Sequence, residues 1–395
     1  MAGLVAVLAV WLAVGVAVGV AVSAASSTSV YYDANDNVSI DPNPFGGTPP
    51  GGSYNAELGM DGLQKLTSGS KNAASGYQAL SNDTTGSDNV ADGLAALIAN
   101  TSGAYDVATG AYALNDNSTG SDNVANGSDA LYYNATGSDN VANGYQALYS
   151  NTTGFDNVAS GTQALYSNTT GFDNVASGFE ALSLNTTGGD NVASGASALE
   201  SDTTGSGNAA SGTGALETNT TGSDNVASGT NTLYSNATGF DNVASGYQAL
   251  LSNTTGSDNV ASGPDALDGN TTGAKNVGLG YEAGNNLTTG SYNVDIASQG
   301  VAGDRGTIRI GALKLQTAAY LAGVYGVTPS GTTQAVVINA NGQLGTATTP
   351  SSASAAASSS GQLPALRAQV RHQQRRIDQL AAQITQLQKL LARKS

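Results

Sequence analysis

The sequence predicts an all-β repeat solenoid followed by a C-terminal α-helical coiled coil, on three observations. One 17-residue pattern recurs from Leu66 without a slip in register, two glycines hold fixed places within it, and from Leu363 the apolar residues switch to a heptad spacing. Internal repeats of this length are the mark of a solenoid, so the 395 residues are not read as several globular domains.

Copies begin at Leu66, Asp83 and Asn100 and continue every 17 residues to Asn270, with a degenerate copy at Leu287. The copy from Asn151 to Ser167, NTTGFDNVASGTQALYS, shows the pattern. Two glycines and a run of Asn, Thr and Ser in each copy would cost a helix several kcal/mol, so helical repeats are excluded. Two short strands joined by two turns fit better. Gly fills the fourth position in every copy, from Gly69 to Gly290, and the eleventh from Gly76 to Gly280, which marks the two corners of a coil. Coils stacked at about 4.8 Å place each residue over its counterpart, so identical residues form columns in a rod of roughly 60 Å. Asn fills the seventh position in every copy except the one that has Asp106, and such a column can pass amide hydrogen bonds from rung to rung.

The apolar supply is thin. Each copy offers two pairs, such as Val158 with Ala159 and Ala164 with Leu165. These bury little area against a backbone ordering cost of about 1–2 kcal/mol per residue, so several chains sharing an axis are expected to complete the core.

Gly accounts for 52 residues, charged residues for 11%, and the net charge is −16 with the acids spread along the repeats; this opposes a nucleic-acid partner. Cysteine is absent, which removes disulfides, thiolate metal sites and Cys nucleophiles. The apolar run of residues 1–25 is an export segment: either a signal peptide cut after Ala24, with Val22 and Ala24 before the cut, or an uncleaved anchor. Either way the protein is expected to be secreted or at the cell surface, touching membrane only through an uncleaved N-terminal segment.

The Val-Ala-Ser-Gly stretch of most copies, and Val277-Gly278-Leu279-Gly280, resemble the Val-Ala-Ile-Gly core of the heads of trimeric autotransporter adhesins (YadA-like); the longer repeat also looks like those of phage tail-fibre-like proteins. The resemblance covers Leu66 to about Ala302 and implies a left-handed parallel β-roll and a trimer. A second stretch, Thr307 to Gly311, Gln316 to Thr328 and Val336 to Thr346, is similar to the segment preceding endosialidase-type intramolecular chaperone domains. The chaperone itself does not follow: a Ser/Ala-rich linker runs to Gly361, so self-cleavage is not expected. The four-strand membrane anchor of autotransporters is not present either.

In the stalk, Leu363, Val370, Ile377, Ile384 and Leu391 occupy a positions; Leu366, Leu380 and Leu387 occupy d, with Gln373 the one polar d residue. Branched residues at a with Leu at d favour a dimer, whereas the resemblance implies a trimer; a homotrimer is expected, with a dimer as the alternative. The tail carries seven Lys or Arg against one Asp, read as a solvated face or a dock for an acidic surface.

The expected layout is an export segment (1–25), an irregular segment (26–65), the β-roll head (66–302), a short β neck (303–346), a linker (347–361) and the stalk (362–395). No catalytic, cofactor or metal residues are assigned. The only histidine, His372, lies in the stalk. The column Asp88, Asp122, Asp139, Asp156, Asp173, Asp190, Asp224, Asp241 and Asp258 gives every carboxylate nearly one environment, whereas acid hydrolysis needs two different ones. A glycan hydrolase is therefore a distant alternative, and calcium on this column lacks the Gly-Gly-x-Gly-x-Asp pattern. Thr columns (Thr153, Thr170, Thr187, Thr204) raise ice binding, but adjacent Thr residues point to opposite faces. Aromatics are the candidate ligand contacts: Tyr132, Tyr149 and Tyr166 in one column, Phe155 and Phe172 in another, for a host-surface protein or glycan. Self-stacking that only stiffens the rod weighs equally. The expected function is a non-enzymatic extracellular adhesin-like fibre, with a phage or phage-derived tail-fibre component as the alternative.

Overall fold

In a computed structural model of the protein, residues 30–312, 315–321, 336–346 and 362–391 are described. The export segment and the 347–361 linker lie outside the described residues. The chain divides into two compact units, Met1–Leu315 and Gln316–Ser395.

In the first unit, Val-Ala-Ser in each copy forms a three-residue strand that pairs in parallel with the same residues 17 positions away. Val175, for instance, is in register with both Val158 and Val192. Repetition gives a parallel β-solenoid of about 16 turns, its strands in one 18-stranded sheet. Rung-to-rung bonding continues outside the strand: Thr152 N–H donates to Thr169 C=O at 3.0 Å and Leu165 N–H to Ala181 C=O at 3.0 Å.

Only one strand per rung forms, where two were expected. The Ala-Leu segment is instead a turn in which Gln163 and Leu165 take φ of +57° and +53°. A left-handed conformation costs a non-glycine residue about 1–2 kcal/mol, and complete burial of Leu165 offsets that with about 1.5–3 kcal/mol. The column conforms to this. It is Leu in each copy from Leu80 to Leu267 and then Gly284, never a β-branched residue.

Both glycine positions are enforced by the next rung. A Cβ on Gly161, at φ +139°, would lie 2.4 Å from Gly178 O; one on Gly154 would lie 2.3 Å from Asn151 Oδ1 and 2.5 Å from Gly171 O.

The interior is half polar. Ala159, Ala164 and Leu165 share it with Asn151 and Asn157, all fully buried. Val158 points outward, contrary to its expected place in the core, because a three-residue strand turns its first and third side chains to one face and its second to the other. Two Asn ladders result, not one. Asn157 Nδ2 donates to Asn140 Oδ1 (3.1 Å) and to Gly171 O (2.9 Å), while Asn140 Oδ1 also accepts from Asn157 N–H (3.1 Å). In the second ladder Asn151 Nδ2 donates to Asn134 Oδ1 (2.7 Å) and to Gly154 O (3.0 Å).

The solenoid extends past both expected ends. Val38–Ser39 and Ala56–Leu58 already belong to the sheet, so residues 26–65 are not simply irregular. Phe45, in a Pro44–Gly47 turn, joins the buried core, and Tyr31 packs edge-on to it at 5.9 Å. At the other end Ile308–Ile310, assigned to the neck, pairs in parallel with Val294–Ile296. An Arg309–Asp304 ion pair sits beside this last strand.

The second unit contains an antiparallel hairpin, Val336–Ile338 with Leu344–Thr346, and the helix Gln362–Leu391. Among the described residues no helix is long and apolar enough to cross a membrane.

Two predictions come from the interior. Leu165→Ile keeps the volume but places a β-branched residue at φ +53°, so chemical denaturation should show a loss above the roughly 1.5 kcal/mol that bounds an ordinary swap of this kind. The second concerns pH. Asp83 and Asp202 stand in the first-position ladder and Asp106 in the seventh; burial pushes each carboxyl up to about 7, as it does Glu57. Asp202 Oδ1 accepts from Asn219 Nδ2 at 2.7 Å, but its Oδ2 is buried without a partner where an Asn would donate. An unfolded Asp titrates near 3.9. Between that value and about 7 the folded chain therefore holds protons that the unfolded chain has released, so stability is full below pH ~4 and falls as pH rises to 7. Melting temperature should be higher at pH 5 than at pH 8, and Asp202→Asn should raise it at pH 8 while flattening the dependence.

Candidate functional site

Because equivalent positions stack, any side chain pointing outward at one rung lies beside its counterparts on the neighbouring rungs. The aromatic residues of the middle copies obey this. Tyr149 and Tyr166 stack with centroids 5.1 Å apart and planes within 2°; Tyr132 and Tyr149 are 5.4 Å apart at 30°. Each follows a buried left-handed Leu, which leaves the ring half-buried on the surface.

Two residues that the column pattern missed complete this cluster. Tyr133 meets Tyr132 and Tyr149 edge-on at 4.6 and 5.1 Å, and Tyr112 lies 6.3 Å from Tyr132. They come from other positions of the repeat, so only the three-dimensional path of the turn brings them in. Burial first, and the Tyr133 side chain beside it second, push the Tyr149 hydroxyl up to about 12. Burial and the carboxylate of Asp116 raise Tyr132. These hydroxyls therefore stay protonated at physiological pH and serve as hydrogen-bond donors.

Phe155 and Phe172 form a separate pair, 5.4 Å apart with planes within 9°. Phe172 in turn lies over the next rung, where a Cβ on Gly189 would meet its ring at 2.9 Å. The five predicted aromatics thus fall into two patches. Within the Tyr column the faces are largely covered by each other; the rings left more open are Tyr112, Tyr133 and Phe155, at 39%, 44% and 44% exposure.

The Asp column does not converge on a point: among the described residues no three His, Cys, Asp or Glu side chains come together as a metal-ion site. Of the nine predicted stalk positions, the side chains of Val370, Gln373, Ile377, Leu380 and Ile384 are described, and all are exposed. Leu363, Leu366, Leu387 and Leu391 lie on the same helix, but their side chains are outside those described.

The class that the fold defines is the parallel β-solenoid with 17-residue rungs. No protein-family model, curated protein or solved structure matches the chain.

The cluster geometry makes one prediction. Tyr149→Phe removes the most strongly shifted hydroxyl, so alkaline absorbance titration should lose its latest-ionising component while the melting temperature stays within about 2 °C.

Proposed function

We propose that the protein is a non-enzymatic fibrous protein, secreted or held at the cell surface, that works as a homotrimer and adheres through the outward columns of a left-handed β-roll head. The observation that carries this reading is the repetition of the exterior. A solenoid whose rungs are equivalent presents many weak, identical contacts, and linked weak contacts give avidity that no single one supplies.

The aromatic cluster supports a glycan or a surface protein as the ligand. Open ring faces at Tyr112, Tyr133 and Phe155 suit stacking on sugar rings, and the hydroxyls of Tyr132 and Tyr149 with the nearby Asp116 offer donors and an acceptor. Oligomerisation is supported by the helix, which leaves Val370, Ile377, Leu380 and Ile384 between 55% and 62% exposed along one stripe. An isolated two-stranded hairpin is marginal in water, and Val336–Ile338 with Leu344–Thr346 is exposed on both faces, so it too favours packing among copies. The same hairpin falls in the stretch similar to the segment before intramolecular chaperones. That favours, as a second reading, a fibre component of a phage or phage-derived particle.

Two measurements test the proposal. Sedimentation equilibrium of the chain should give three copies, and Leu380→Asp with Ile384→Asp should lower that number; a monomeric parent would contradict it. On a glycan or cell-surface array, replacing Tyr112, Tyr133 and Phe155 by Ser should weaken binding by roughly two- to tenfold per ring. Unchanged binding would remove the aromatic patch from the account.

A further inference from the structure

The outward Val column is an uncharged apolar feature that runs along the described solenoid. Twelve valines share it: Val90 to Val192 at every rung, Val226 to Val294 at every rung, with Ala209 between. The middle ones are open, Val192 at 46% and Val243 at 45% exposure, although valine is among the side chains most often fully buried. Beside it runs a column of Ser at Ser160, Ser177, Ser194, Ser211, Ser228, Ser245 and Ser262, two residues on and therefore on the same face.

We infer that this Val-and-Ser face is the surface on which a second copy of the chain packs along the head. The inference rests on the oligomeric reading above and adds where the heads meet. Area supports it: twelve part-exposed valines at roughly 50 Å² each, with the Ser column beside them, approach the ~800 Å² per partner of a standard interface. The apolar part alone, about 600 Å², lies at the top of the range for the largest patch on a soluble monomer, where such patches often serve binding. The occupant must match a feature repeated every 17 residues over the whole solenoid, and an identical chain carries the same repeat in the same spacing. Two Val faces meeting also add apolar burial to a narrow interior in which Ala and Leu share the space with the Asn ladders.

The Asp column sets the cost. Nine aspartates, such as Asp156 and Asp173, stand two residues before the valines, so packed copies bring like charges to the rim of the contact. Salt screens that repulsion, and association through this face should therefore strengthen with ionic strength.

The chain has no cysteine, which makes a single introduced thiol a clean reporter. In the full chain, Val192→Cys should cross-link copies in high yield under mild oxidation, and more so at 0.5 M than at 0.05 M salt, between which the screening length shortens roughly threefold. Thr187→Cys, also exposed but on the Thr column, should cross-link at a small fraction of that yield. Val226→Cys repeats the test should the first variant fold poorly. Sedimentation of the unmodified chain separates the two possible failures. Oligomers in which Thr187→Cys cross-links as well as the Val variants overturn this inference and leave the oligomeric reading intact. So does an oligomer in which neither Val variant cross-links, as when the face serves a different macromolecule. A monomer overturns both.

Discussion

The structure depends on the side-chain amide bond that passes from each Asn to its counterpart one rung away. A backbone stacked at strand spacing satisfies its own N–H and C=O groups along the strand, but the turns leave carbonyls such as Gly154 O and Gly171 O facing inward. A buried unpaired carbonyl costs about 1–3 kcal/mol, and each rung turns one inward. Both Asn columns donate to it, as Asn140 Nδ2 and Asn151 Nδ2 do to Gly154 O, and hand their own oxygens to the next rung. Remove that bond and the interior holds only Ala and Leu around unsatisfied polar groups.

Much else follows from making room for it. A Cβ at Gly154 would collide with Asn151 Oδ1, so glycine is required there by the ladder itself, not only by the curvature of the chain. Ala159 and Ala164 are small because the amides occupy the space beside them, and Leu165 accepts a strained backbone as the one large apolar group each rung can contribute. The ladder has a direction, with Nδ2 donating toward the N-terminal rung. An Asp can therefore receive from the rung after it but has nothing to give to the rung before unless it is protonated, as the lone Oδ2 of Asp83 and Asp202 shows. Solvent sees the complementary set, in which valines, serines, aspartates and aromatic rings are sorted into columns by the same 17-residue step. The same periodicity that builds the interior thereby produces a repeated exterior.

The repeat, its parallel stacking and the Asn column were legible in the sequence because each is a pattern of identity at fixed spacing. The side of the sheet each residue faces was less so. Val158 and Ala159 are adjacent apolar residues, and nothing in their order says which is inside; the structure decides by strand alternation and by the volume the amides leave. Leu165 stands out as one of the apolar pairs of the repeat, but a second strand is expected where the structure has a turn, and the exclusion of Ile and Val from its column is the available sign. The first rungs were missed for a different reason. Gly52, Asn55, Gly59 and Leu63 keep the ladder and corner positions, but Glu57 replaces the inward Ala and the preceding strand is offset by 18 residues. At the surface, Tyr132, Tyr149 and Tyr166 were visible as a column, whereas Tyr112 and Tyr133 join them only through the fold of the turn.

The solenoid requires equivalent residues to lie one strand spacing apart along a single axis. Spin labels on exposed residues of the Thr column, Thr119 with Thr221 and Thr119 with Thr272, placed on chains diluted with unlabelled protein, measure that spacing across six and nine rungs. Narrow distances near 29 Å and 43 Å are expected at about 4.8 Å per rung. Two similar distances, or a broad distribution for either pair, would contradict it.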